Sequence, residues 1–419
     1  MTSSNFQGHS QAEIKSATLI SLSTEQMVDI KRGITKLEMY CSVFDPTMAM
    51  VVRIMDSSST LYQLPMVGEE LVEIEIASSG REPITRVMAV TKVEDLAFDS
   101  NGTCTGMTLH LMSFDQLPAV GTTVYKGAKC QISELVSALI KDYLKPEQST
   151  KLNVEETEGI ETLIIPGWNV WESIEFLRSR AVSTKYHSPF LFFEGLEGYH
   201  FISVEGLVEQ RLKKTVETYT SEPFNVENSL SANKSTISER QRRNVDNLRI
   251  VSKANPISTV MNGGHSTTVR TFNMLQKEVV EATNDYTEMG SLMKRPLEGS
   301  FYPNHTAKLK NLVGKDSSRA VTFVVDDSNV SSSITNYGRR NIISHNFGEV
   351  QIEFSTFGNT ELDVGDIIKL EMPRTVDMQE EDLQLTGHYM ITSFCHHYKD
   401  GHMLTAVEAY RVGFGSRVF

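Results

Sequence analysis

The stretches "VGEELVEIEI" (Val67–Ile76) and "VGDIIKLEM" (Val364–Met372) decide how this chain is read. Dropping one acidic residue after the glycine aligns Leu71 with Ile367, Val72 with Ile368, Ile74 with Leu370, Glu75 with Glu371 and Ile76 with Met372. In the first copy Val72, Ile74 and Ile76 fall on one side of an extended chain and Glu73 and Glu75 on the other, the pattern of a half-buried strand. Upstream of each lies an apolar strand, "MVVRIMD" (50–56) and "VQIEFST" (350–356). Downstream, residues 85–113 and 386–412 follow the same order of strand, turn (Asn101-Gly102; Asp400-Gly401) and returning strand. A unit that recurs within one chain sets the architecture before any motif does. The expectation is a mainly β protein built from two copies of one antiparallel β module, interrupted by α/β insertions.

The remaining sequence fits around that repeat. Between Thr18 and Phe114 the pattern is almost wholly β, with short apolar runs separated by turn residues, as in barrels and sandwiches. In "QISELVSALIKDYL" (131–144), Ile132, Leu135, Val136, Leu139, Ile140 and Tyr143 form one apolar helical stripe. A second helix is expected to start at Asn169 as N-cap, with Glu172 completing a capping box. "SPFLFFEGLEGYHFISVEGL" (188–207) reads as a hairpin turning at Gly195–Gly198. Residues 215–244 read as polar loop, "NVDNLRIVSKANP" (244–256) as a strand ending at Pro256, and Thr271–Ala282 as a helix. Residues 341–410 return to β. The domain plan is therefore a tail over 1–14, a first β module over 15–127, and an inserted α/β domain over 128–239. A second module is assembled from 240–255 and 340–412, with a mixed insertion over 256–339 and a tail over 413–419.

The chain has 419 residues, 40% apolar and 22% charged, which suits several folded domains and not a disordered chain. No apolar run approaches the length of a membrane-spanning helix, and Met1–Gln11 lacks the apolar core of a secretion signal. Cys41, Cys104, Cys130 and Cys395 are scattered, as expected of reduced thiols in a cytoplasm. The net charge of −13 argues against general nucleic-acid binding, which needs clustered lysine and arginine. Four arginines between Arg240 and Arg249 could contact phosphate or acidic protein; a solvated strand approach is the plainer reading.

One cysteine and three histidines crowd into eight residues of the closing hairpin. With Asp400-Gly401 as a two-residue turn, Lys399 faces His402, His397 faces Leu404 and Cys395 faces Ala406. Cys395, His397 and His402 then share a face, so geometry allows zinc, but nothing forces the fourth ligand of a closed tetrahedral site into place. A hairpin that carries histidines near its tip is the preferred reading, and no metal site is assigned. Catalytic patterns fail too. "NLVGKDSS" (311–318) has Asp316 where a phosphate loop needs Ser or Thr, and the run from Asp327 lacks the glycine and glutamate of a calcium loop. Glu69-Glu70 and Glu380-Glu381 are adjacent in sequence, not opposed across a cleft. The aromatic pairs Trp168/Trp171 and Phe192/Phe193 could form a sugar platform, but core packing accounts for them better. No catalytic residue and no cofactor is expected.

A split, duplicated β module with an α/β insert resembles the central baseplate hub protein of contractile-tailed, T-even-like bacteriophages. The two glycine–acid strand starts carry the resemblance. So do "GWNVWESIEFLRSRAV" (167–182) with its following hairpin, "LRIVSKANP" (248–256) and the closing hairpin 387–410. The resemblance implies two tail-tube-like antiparallel β-barrels per chain and a homotrimeric ring whose pseudo-sixfold symmetry adapts a hexameric tail tube to a trimeric spike. It also implies virion localisation, a structural and non-enzymatic role, and DNA passing through without specific binding. Expected partners are other copies of the chain, the tail tube protein and the spike protein, with baseplate wedge and tape-measure proteins also possible. No membrane insertion is implied. Because the sequence ends at Phe419 without a repeated spike motif, the spike is expected on a separate chain. A hub of a phage-derived injection device is the near alternative, and a receptor- or carbohydrate-binding β protein a more distant one.

Overall fold

The computed structural model describes residues 11–55, 66, 68–78, 80–98, 100, 104–144, 150–221, 243–252, 258, 261–264, 266–273, 277–285, 319–325, 330–348, 350–372 and 385–414. The Asn101-Gly102 turn, Arg240, the 311–318 segment, the run from Asp327 to Asn329 and Glu380-Glu381 lie outside them.

Among the described residues the first β region comprises β1 (Ala12–Ser21), β2 (Met27–Asp29), β3 (Ile34–Ser42), β4 (Ala49–Met55), β5 (Glu70–Ser78), β6 (Ile84–Phe98) and β7 (Cys104–Ser113). β1 thus begins inside the stretch read as a tail. Leu37, Met39 and Cys41 of β3 are buried, with the intervening Glu38 and Tyr40 on the other face. That period-2 alternation is what a sheet with one covered face demands.

An α/β unit follows. β8 (Thr123–Cys130) pairs with β10 (Glu161–Asn169), while β9 (Lys151–Val154), β11 (Phe190–Glu194) and β12 (Gly198–Ser203) form a three-stranded sheet in the order β11-β12-β9. Helix α1 (Ile132–Leu139) continues into a π-helical turn, Ile140–Leu144, and its apolar stripe is buried except for half-exposed Tyr143. Helix α2 (Val170–Arg180) has the anticipated capping box: the Glu172 amide donates to Asn169 Oδ1 at 2.8 Å and the Asn169 amide to Glu172 Oε2 at 3.0 Å. The strand expected to run past Ser203 stops there. Ser203 Oγ accepts from the Gly206 amide and opens helix α3 (Val204–Leu212), because a serine N-cap outcompetes strand continuation.

Two further readings are corrected. Thr271–Ala282 is a hairpin, not a helix: β15 (Ser266–Asn273) pairs with β16 (Glu278–Asp285) and with β17 (Arg319–Val325). Thr267, Thr268, Val269 and Thr271, and then Val279 and Val280, are β-branched, and cross-strand packing rewards that where a helix turn does not. Residues 341–346 belong to helix α4 (Val330–Asn346), which packs on β15 and β16, so the β return starts later than expected.

Between these units, β13 (Glu217–Thr220) and β14 (Asp246–Ser252) belong with β18 (Gln351–Phe357), β19 (Ile367–Glu371), β20 (Gly387–Lys399) and β21 (His402–Phe414). β13 falls in the stretch read as loop and pairs in parallel with β19. The two β regions join in one 13-stranded sheet of order β14-β18-β21-β20-β3-β4-β7-β6-β5-β1-β2, with β13 and β19 branching at β20.

Within that sheet the pairing series β3-β4-β7-β6-β5 recurs as β14-β18-β21-β20-β19, in the same chain order and all antiparallel. Even an irregularity repeats. The β6·β7 ladder shifts register between Val90 and Lys92, and the β20·β21 ladder between Ile391 and Ser393. The hairpin register matches expectation, with Cys395 opposite Ala406, His397 opposite Leu404 and Lys399 opposite His402. One apolar core runs under both regions and takes in Leu191, Phe193, Ile202, Leu207 and Val208 of the α/β unit.

Candidate assembly site

The two β regions meet where β20 pairs with β3 over Ser393↔Ser42 to Lys399↔Lys36. The hairpin straddles the junction: the base of β20 pairs with β19 and its outer half with β3, while His402 at its tip bridges Gln11. On the core side, Phe394 and His396 lie opposite Cys41 and Met39. On the solvent side, alternation brings Lys36, Glu38, Arg53, Lys92, Glu94, Arg249, Glu353 and His397 to one face. Most of these charges are paired. Lys36 meets Glu38 at 2.9 Å, Arg249 meets Glu353 at 3.5 Å, and Glu94 contacts Lys92 and, at 2.8 Å, His110. Lys399 and Arg53 flank Lys36 on this face in the neighbouring strands, so its charge is only partly compensated. A concave groove of about 960 Å³ indents it, lined among others by Tyr40, Asn247, Arg249, Glu353, Cys395 and Glu408.

Of the candidate metal ligands, the register places Cys395, His397 and, at the hairpin tip, His402 on this face. His397 Nδ1 lies 3.0 Å from Glu38 Oε1. Burial drives the Glu38 carboxyl up, but hydrogen bonds from Lys36 and His397 outweigh it and leave the group below the usual range. Burial and the Glu38 charge push the Cys395 thiol up to about 11. Among the described residues no group of three or more His, Cys, Asp or Glu could hold a metal ion. His397→Ala should cost under about 1 kcal/mol, since the pair is half exposed, and should leave assembly intact. Denaturant unfolding with metal analysis tests this; lost folding together with stoichiometric zinc would restore the metal reading.

His396 differs from its neighbours. It is 1% exposed, its Nδ1 pairs with Thr405 Oγ1 at 2.8 Å, and burial pulls its pKa down to about 3. It is a core residue of the hairpin. The aromatic pairs also pack inward. Phe192 and Phe193 are buried, Trp168 meets Phe176 edge-on at 5.0 Å, and Trp171 Nε1 donates to Gln116 Oε1 at 2.7 Å. Arg243, from the arginine-rich run, lies 3.8 Å from Glu217. Cys41, Cys130 and Cys395 are free thiols.

Sequence reasoning missed the polar fastening between units. Glu194 of β11 is 8% exposed; its carboxylate accepts from the Met48 amide at 3.0 Å and from Ser113 Oγ at 2.7 Å, tying the insertion to the first region. Burial raises its pKa. The adjacent turn binds both regions at Leu196, whose carbonyl accepts from Arg86 of β6 and whose amide donates to Asp363 at 2.8 Å. Asp363 also faces Arg211 of α3 at 3.4 Å, and Arg211 reaches Asp366 at 3.0 Å. A signal for this cluster did exist: Asp363 stands two residues before Gly365, where the first copy has apolar Met66 before Gly68. Glu194→Ala should cost about 2–3 kcal/mol, because it leaves a buried N–H and hydroxyl unpaired, and Glu194→Gln should cost less. Thermal and urea unfolding of both variants measures the difference.

No protein-family model matches this chain, and no curated protein does. Solved structures do. A tail protein from Neisseria meningitidis MC58 is similar at a TM-score of 0.57 and 9% identity, over 94% of this chain and 96% of that one. The 43 kDa tail protein of prophage MuSo2 from Shewanella oneidensis is similar at a TM-score of 0.54 and 11% identity, over 95% of this chain and 98% of that one. The chain has the fold of these tail proteins.

Proposed function

We propose that this chain, with the fold of phage tail proteins over nearly its whole length, is a structural baseplate hub of a contractile tail. In this reading three copies close a ring, and their six β modules imitate a sixfold tube end while the ring itself keeps the threefold symmetry of a spike. The observation that carries the reading is the recurrence of one pairing series, down to its register shift, joined edge to edge within a single sheet. A closed ring needs heterologous contacts that return on themselves, and two like modules in tandem already display one such contact. The solvent face of the joined sheet then lines the DNA passage. Lys36, Lys92 and Arg249 are held by neighbouring carboxylates, and the chain's net charge of −13 repels phosphate, so a duplex slides without adhering. The proposed partners are the tail tube protein on one side and a trimeric spike protein on the other. The role is architectural, not enzymatic.

Light scattering of the purified chain tests the stoichiometry, and electron microscopy of purified particles tests the position. A homotrimer located at the tube–spike junction is the expected result. A chain that stays monomeric at high concentration, or density elsewhere in the particle, overturns the reading.

A further inference from the structure

Three cations stand in line across the joined sheet. Lys399 of β20 lies directly opposite Lys36 of β3, and Lys36 directly opposite Arg53 of β4. Lys36 and Arg53 belong to the solvent face because Leu37, Val52 and Ile54 beside them are buried, and Lys399 follows by register. Opposed side chains in an antiparallel ladder stand about 5 Å apart, so the line spans about 10 Å. Like charges at that spacing repel, and the fold gains nothing from them. Lys36 has an ion partner in Glu38 at 2.9 Å. Among the described residues no carboxylate pairs with Arg53 or Lys399, Asp400 of the adjoining turn included.

Glu38 does not balance all three. Its Oε1 already takes Lys36 and, at 3.0 Å, His397 Nδ1, and it sits one row away, diagonal to Lys399 and to Arg53. Beyond Arg53 comes buried Thr108 of β7, whose hydroxyl donates to Asp95 at 3.2 Å, while Glu94 is engaged by Lys92 and His110. Two cationic heads are therefore left over on a face that elsewhere pairs most of its charge. Large apolar side chains share that face. Met55, two residues beyond Arg53, is 51% exposed, and Leu404, opposite His397, is 46% exposed. On the other side of Glu38 the groove opens, with Tyr40 and Cys395 in its lining.

We infer that this row docks an acidic, partly apolar protein segment, whose carboxylates engage Arg53 and Lys399 while an apolar side chain enters the groove beside Tyr40. Charge complementarity selects the acid. A carboxylate can take the Arg53 guanidinium as a bidentate pair, which adds geometry to charge. Apolar residues of the segment cover Met55 and Leu404, the mixture of charge and apolar contact found where proteins meet. A DNA duplex fits this surface less well. Phosphate affinity grows with the number of cations neutralised, and two supply little of it. The chain's net charge of −13 also repels a long polyanion, whereas a short segment brings only local charge. Strand geometry sets the spacing of the occupant. Tyr40 and Lys36 lie on one face of β3, about 13 Å apart at ~3.3 Å per residue, so an extended segment carries its acid and its apolar anchor about four residues apart.

Fluorescence anisotropy of the full chain at low salt tests this with two probes, a labelled glutamate-rich peptide ending in leucine and a labelled DNA duplex. The wild type should bind the peptide more tightly than the duplex, and a peptide with glutamine in place of glutamate should not bind. Arg53→Ala and Lys399→Ala should each weaken peptide binding about threefold, and the double variant about tenfold, because the two sites are far enough apart to add. Both exchanges relieve like-charge repulsion, so the double variant should keep or raise its denaturant midpoint, which separates lost binding from lost folding. Lys92→Ala removes a cation of the same face that Glu94 already holds, and it should leave the affinity unchanged. A wild type that ignores the peptide, or a double variant that binds it undiminished, overturns the docking site and leaves the hub reading standing. A duplex bound more tightly than the peptide overturns both the protein partner and the passage of DNA without adhesion.

Discussion

Arg211→Met should cost this protein about 3–5 kcal/mol in denaturant unfolding, the largest effect expected of any single exchange at the joints between its units. Arg211 is 5% exposed and faces two carboxylates, Asp363 at 3.4 Å and Asp366 at 3.0 Å. Removing the guanidinium strands buried Asp363 and half-buried Asp366 without their cation. Burial already outweighs Arg211 in the wild type: it raises the pKa of Asp363 and lifts that of Asp366 to about 6. The sign of the pH dependence follows from that direction. Between about pH 4 and pH 6 the folded protein holds protons that the unfolded chain has released, so the stability these carboxylates contribute is lost as pH rises. The penalty in Arg211→Met should therefore be largest above pH 6 and shrink below it. The triple exchange Arg211→Met, Asp363→Asn, Asp366→Asn should recover most of the loss, because neutral groups carry little of the desolvation cost. A pH-independent loss that the triple exchange does not relieve would show that packing, not charge, holds this joint.

The second large effect has the opposite sign. His396 is fully enclosed and its pKa is drawn down to about 3, so on acidification the unfolded imidazole takes up a proton that the folded one refuses. Stability from this residue is complete above about pH 6.5 and falls as pH drops towards 3, amounting to about 3 kcal/mol by pH 4 at ~1.4 kcal/mol per pH unit. His200, held down to about 4 chiefly by burial, acts in the same direction. Because the raised carboxylates pull the other way, the measurement is the difference between His396→Leu and wild type across pH 4–7. That difference should favour the leucine variant progressively as pH falls, by about 3 kcal/mol at pH 4. Parallel curves would mean that His396 is solvated in the working protein.

These two residues mark where sequence reading succeeds and where it stops. The closing hairpin was legible to the residue, since Asp400-Gly401 fixes a two-residue turn and the turn fixes the register Lys399↔His402. The Asn169–Glu172 capping box was legible for the same reason, because it is completed within four residues. Which histidine mattered was not. His396 and His397 are neighbours, and only the covering of one sheet face makes one a core residue and the other a surface partner of Glu38. Thr271–Ala282 misled because a short mixed run satisfies either period, and the pairing of β15 with β16 and with β17 decided it for strand.

Local rules in the sequence by itself determined many of the strands, the Asn169 cap and the Asp400-Gly401 turn, since each is settled by side chains a few residues apart, and comparing distant stretches of the sequence exposed the repeated pattern. The tertiary structure alone decided that both modules share one sheet through β3 and β20 and that Arg211 meets Asp363. Those outcomes join residues 150 to 360 positions apart, where no periodicity reaches and only the burial of apolar faces and the pairing of buried charge select the partner.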